Sequence, residues 1–188
     1  LLILLGVQVL FGQEQNGFLN FTYNDASGRI KMKVSNLGEE FLMVTSLASG
    51  IGSNDIGLDR GKLKGEKVVY FEKRGPYLFL IQPNQDYRAI SENEAERLAV
   101  SEAFATSVLA SFTIEETKGD TFTIDITAFL CKDLYGISKT LERTNQGTYK
   151  LDKARSSIRK EGLHGFPDNC EFESILTFKG DAKGAYIR

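Results

Sequence analysis

His164 is the only histidine in the chain, and that count limits the chemistry more than any motif does. A zinc site built on H-E-x-x-H plus a third ligand needs two or three imidazoles, so this chain alone cannot supply one. A Ser-His-Asp or Cys-His arrangement would have to use His164, which the pattern places in a loop, Gly162–Asn169, with no G-x-S-x-G elbow elsewhere. A lone loop histidine reads as a solvated or hydrogen-bonding residue.

The other concentration of chemistry-bearing side chains is FLMVTSLASGIGSNDIGLDRG, Phe41 to Gly61. An apolar strand run leads into a loop holding Gly50, Gly52, Gly57 and Gly61, with Asn54, Asp55, Asp59 and Arg60 between them. Glycine recurs where a backbone needs positive φ or close approach to another group. The spacing is neither G-x-G-x-x-G nor a P-loop, so a phosphate cradle is not supported. Asn54, Asp55 and Asp59 offer oxygen ligands but lack the order of a calcium loop. Asp59 beside Arg60 suits a structural clamp on nearby backbone groups. A contact with a partner domain or bound peptide stands as the second reading of Asn54, Asp55, Asp59 and Arg60, and metal binding as the third.

The elements that must position these residues read as an α+β domain with an antiparallel meander and about two helices. Ile30, Met32 and Val34 alternate with Arg29, Lys31 and Lys33, a strand with one wet face. Phe41–Leu47, Lys67–Lys73 and Tyr77–Gln82 follow as strands, the last two joined by Arg74-Gly75-Pro76. Ser91 with Glu94 forms a capping box that predicts a helix, with Leu98, Ala105 and Leu109 on one face and its second half largely buried. Phe112–Glu116 and Thr121–Ile126 flank the hairpin turn Lys118-Gly119-Asp120. Leu130, Leu134, Ile137 and Leu141 fall at helical spacing and predict a second helix from about Ala128 to Arg143, which Gly136 weakens. Strands return at Tyr149–Leu151, Ser156–Arg159 and Phe172–Phe178, and the tail Gly180–Arg188 reads as the start of a hairpin.

With 188 residues, 41% of them hydrophobic, one core and one domain are expected. Thirteen Phe and seven Tyr without Trp lean toward strand. A net charge of −2 with no basic stripe speaks against nucleic acid. Leu1 to Phe11, LLILLGVQVLF, has the length of a secretory h-region and is too short to span about 30 Å of hydrocarbon. Residues 1–12 therefore read as a truncated signal peptide, leaving no membrane span in the mature chain and placing it outside the cell or in the periplasm or envelope. A buried N-terminal strand or clipped anchor is the competing reading. Cys131 and Cys170 sit in apolar patterns, where either a bridge or two buried thiols is consistent with export.

The loop sequence and then VVYFEKRGPYLFLIQPNQDYRA, NEAERLAVSEAFATSVLASF, TIDITAFLCKDLYGI, GTYKLDKARSSI and FPDNCEFESILTF occur in one order. Together, from about Gly17 to Phe178, they resemble the domain of unknown function that precedes the catalytic domain in bacterial zinc-dependent, metzincin-like metalloproteases. That resemblance implies an accessory N-terminal domain over residues 17–180, with residues 181–188 starting a following segment. It also implies zinc in a catalytic domain beyond Arg188, no cofactor in this piece, and the downstream catalytic domain as partner, with peptide substrate as a further one. It carries over no catalytic or metal-binding residue. Cys131 stands where the family pattern has an aliphatic residue, which favours a buried thiol. Against it stand an envelope module binding peptide or glycan through the Asp55–Arg60 loop, and an independent hydrolase acting through Asp55 or Asp59, for which no general acid–base partner is apparent.

Overall fold

The computed structural model describes residues 13–51, 53–87 and 89–187. The leader reading of residues 1–12 lies outside them, as does Gly52. Alternating apolar residues build one antiparallel sheet of eight strands, curved into a half-barrel, in the order β1-β2-β3-β8-β7-β6-β5-β4. Its strands are β1 (Gln13–Gln15), β2 (Asn20–Asn24), β3 (Arg29–Val34), β4 (Phe41–Ser46), β5 (Leu63–Arg74), β6 (Tyr77–Gln82), β7 (Ser107–Lys118) and β8 (Thr121–Asp125). The predicted hairpins stand: β5 turns into β6 at Gly75-Pro76, and β7 into β8 at Gly119-Asp120, both glycines at φ of +57°. The fold is α+β.

One face of the half-barrel holds the main core. Phe21, Ile30, Met32, Val34, Val69, Phe71, Leu78, Leu80, Phe112, Phe122 and Ile124 all point into it. Its open side is filled by Phe129 and Leu130 of a short helix, α2 (Thr127–Leu130), and by a second hairpin. That hairpin is β10 (Ser157–Gly165) and β11 (Cys170–Ile175), and Phe172 meets Phe21 at 4.8 Å between ring centroids. The opposite face around β3 and β8 is a lattice of ion pairs: Arg29 with Asp125, Lys31 with Glu115 and Asp125, Lys33 with Glu14. Glu115 reaches Lys31 because it is the extra residue of a bulge between the pairs Ile114–Ile124 and Glu116–Thr123.

A second, smaller core joins the loop after β4 to α3 (Ile137–Arg143), β9 (Gly147–Leu151) and β12 (Phe178–Ala182). Leu47, Ile56, Leu58, Tyr135, Ile137 and Leu141 are buried there.

The sequence expectations for the two helices give way. The first helix, α1 (Glu94–Ala103), is capped by Asn93, whose Oδ1 accepts from the Ala95 N–H at 3.0 Å, with Ser91 two residues too early. Its second half is not buried: no residue of α1 is, and Leu98 stays 54% exposed. Leu109 leaves the helix because pairing with β6 claims the chain from Ser107 onward, where Leu109 forms a bulge. The second helix is two, α2 and α3, because Asp133 and a left-handed Gly136 (φ +78°) restart it. The first part of the tail is β12, paired with β9 across Gly180–Tyr149.

Candidate functional site

The glycine loop is a folded unit with an apolar underside and a polar top. Its base is closed by Gly61 N–H donating to the Leu47 carbonyl (2.7 Å), its middle by Ile51 N–H donating to Leu58 (2.9 Å). Ser53 caps a single 3-10 turn, Asn54–Ile56, its hydroxyl accepting from the Asp55 N–H. Gly57 ends that turn in the left-handed region (φ +70°), a conformation costly for any residue with a Cβ. Gly50 serves differently: a Cβ there would lie 3.1 Å from the Arg60 nitrogen, so the two arms of the loop pass almost in contact. Ile56 and Leu58, at 2% and 1% exposure, plug the underside into the small core and hold everything above in place.

The residues singled out from sequence share this loop but divide in role. The Asp55 carboxylate accepts from the Ser53 hydroxyl at 3.1 Å and from the Tyr186 hydroxyl at 2.7 Å. The hydrogen bond to Asp55, and then the charge of that carboxylate, hold the Tyr186 phenol above its ordinary value, since ionising it would lose the bond and set two negative charges together. Asn54 contributes its backbone carbonyl to Gly57, and Asp59 its carbonyl to Lys62. Among the described residues neither Asp59 nor Arg60 forms an ion pair, and Arg60 is exposed. Burial of Ile56 and Leu58 does the clamping. Among the described residues no group of three or more His, Cys, Asp or Glu is placed to hold a metal ion.

Sequence reasoning missed the residue that brings Tyr186 here. Gln146, 5% exposed, sits in the turn between α3 and β9. Its backbone carbonyl accepts from Lys183 and Gly184 at 3.0 and 3.2 Å, and its Oε1 accepts from the Tyr186 N–H at 3.2 Å. A Cβ on Gly184 would sit 2.1 Å from that Oε1, so a larger residue there would displace the Gln146 amide. In sequence Gln146 stands inside the polar stretch RTNQGT, which has no period to read.

His164 is not in a loop. It lies in β10 opposite Glu171, exposed, at the rim of an open cavity of about 310 Å³ shared with Gln15, Tyr23, Lys160 and Glu161. The cavity sits where β10 bulges, four residues from Arg159 to Gly162 facing Glu173 alone. Cys131 and Cys170 are free thiols. Burial pushes the Cys170 thiol up to about 11, and raises Cys131 against a hydrogen bond from Ser174 that works the other way.

The chain belongs to the family described as Domain of unknown function (DUF5117), whose pattern matches residues 61–187. That span begins at the last glycine of the loop and includes both Gln146 and Tyr186. No curated protein and no solved structure matches the chain. Among the described residues no helix is long and apolar enough to cross a membrane.

Proposed function

We propose that the chain is a noncatalytic N-terminal domain of a secreted or periplasmic zinc-dependent metallopeptidase, packing against the catalytic domain. The observation that carries this reading is the clasp between Tyr186 and Asp55. With Gln146 and Asp55 both holding the tail, any segment following residue 187 starts beside the exposed top of the glycine loop. Asn54 and Arg60 are then the first surface such a segment meets, which suits an interdomain contact better than a solvent-facing loop. A chain with one histidine leaves a histidine-rich zinc site to another part of the protein, and the apolar run Leu1–Phe11 suits export.

The test is the full reading frame, purified and assayed for peptidase activity with added zinc and with a chelator. The expected result is zinc-dependent activity that falls severalfold in an Asn54→Ala/Arg60→Ala variant whose melting temperature is unchanged. A reading frame without a zinc-binding motif and without chelator-sensitive activity refutes the peptidase assignment. Ligand binding by this chain alone, abolished by the same variant, would establish the envelope-module reading instead.

A further inference from the structure

The two edges of the eight-stranded sheet are guarded very differently. At one end, among the described residues, β1 spans Gln13–Gln15 and carries Glu14, and an edge charge of this kind discourages edge-to-edge pairing. At the other end β4 is FLMVTS, six residues without a charge or a proline, and among the described residues it pairs only with β5. The bulge that interrupts this pair, Gly65 and Glu66 opposite Val44, lies on β5 and leaves the outer strand itself regular. Phe41 and Met43 turn toward the main core, while Leu42 and Val44 on the other face are 64% and 43% exposed. Leu63, opposite Ser46 on β5, adds another apolar residue to that row at 57% exposure.

Charges at the two ends of β4 are opposite in sign. Glu39 and Glu40 precede it, and Lys62 just before β5 and Lys64 on it flank its far end; all four are exposed. Many other charges of the sheet are paired within the chain, whereas among the described residues none of these four forms an ion pair, nor do Glu66, Lys67 and Lys73 along β5. Lys64 makes a different contact, its ammonium lying 5.1 Å from the Tyr135 ring centroid.

From this we infer that β4 is a dimerisation strand that pairs antiparallel with β4 of a second copy about a two-fold axis. Centring the pair on Met43 sets Leu42 opposite the second copy's Val44 on the outer face, and Phe41 opposite its Thr45 on the core face. Side chains that share a face in one copy then share it in both, as register demands. The antiparallel sense also carries Glu39 and Glu40 to the end of the second strand where Lys62 and Lys64 stand, and symmetry makes that match twice. The result is one continuous sheet of twice eight strands. This inference does not depend on the interdomain reading.

Sedimentation equilibrium over a concentration series of the full chain tests it. The expected mass rises toward twice the 20.9 kDa of one chain. Val44→Lys, which puts an ammonium on the paired edge, returns the mass to that of a single chain without changing far-ultraviolet circular dichroism. Should that variant misfold, Glu39→Lys/Glu40→Lys lies outside the strand and weakens association about tenfold. Adding Lys62→Glu/Lys64→Glu to the second variant restores it. A single-chain mass at every concentration overturns the inference, leaving the edge for a strand of some other partner, and so does a dimer indifferent to both variants.

Discussion

Replacing Asp133 by alanine is the most informative single perturbation of the small core. Its carboxylate accepts from three backbone N–H groups at the start of α3: Gly136 at 2.9 Å, Ile137 at 2.7 Å and Ser138 at 2.9 Å. These are donors that no carbonyl within the helix can satisfy, and a carboxylate also complements the partial positive charge there. Helix caps contribute about 1 kcal/mol and charge-assisted hydrogen bonds more, so Asp133→Ala is expected to cost about 2 kcal/mol. For a chain of this size that corresponds to a fall of about 6 °C in melting temperature. The consequence extends beyond α3. Ile137 and Leu141 anchor the core into which Ile56 and Leu58 are plugged, so the glycine loop and the tail should loosen together. Urea denaturation followed by circular dichroism gives the first quantity, and limited proteolysis within residues 48–61 gives the second. Asp133→Asn keeps one acceptor and should lose about half as much. A loss under about 0.5 kcal/mol for alanine, within the range of ordinary surface substitutions, would refute the assignment of Asp133 as the group that restarts the helix. Destabilisation with an unchanged cleavage rate in the loop would refute the coupling.

Two further outcomes follow from proton affinities. The Tyr186 phenol is raised in the folded chain, so the stability of the clasp is complete below the ordinary tyrosine range and is lost as pH rises through the raised value. The phenolate absorbance of the native chain, minus that of Tyr186→Phe, should therefore titrate late, and Asp55→Asn should bring it earlier; coincident curves would contradict the hydrogen bond. Cys170, half-buried and pushed up to about 11, stays a thiol at neutral pH, as does Cys131. An aromatic disulfide reagent should label both slowly in the native chain and promptly after denaturation without reductant, whereas no label after denaturation would reveal a bridge.

Residues whose conformation is decided locally were readable in advance. Ile30, Met32 and Val34 alternate because one face of β3 is buried and the other carries ion pairs, and the glycine turns at Gly75 and Gly119 are where the hairpins turn. Residues decided by distant partners were not. Leu109 fits a helical stripe but is taken by β6, and Asp133 looks like a mid-helix residue until its carboxylate is seen turned onto the next turn's N–H groups. The glycine loop was recognisable as a purposeful structure, and Asp55 within it, but its partner Tyr186 lies 131 residues away. No spacing rule connects them, nor does one mark Gln146, whose backbone carbonyl and side-chain oxygen both find their partners in the distant tail.

The strand order has a kinetic meaning. Strands β1 to β3 and β4 to β8 are each a run of sequence-adjacent antiparallel neighbours, and a single seam, β3 with β8, joins the two runs. Each run can form by short closures, but the seam brings Val34 to Phe122 and closes a loop of roughly ninety residues, an entropic cost near 4 kcal/mol. Folding should thus be slow relative to its parts, with the seam as the late step and substitutions at Met32 or Ile124 altering the folding rate more than equally buried ones inside either run. During that interval the longer run already exposes both of its borders, β4 and the unjoined β8. The chain behaves in time as two pieces that become one sheet only at the end.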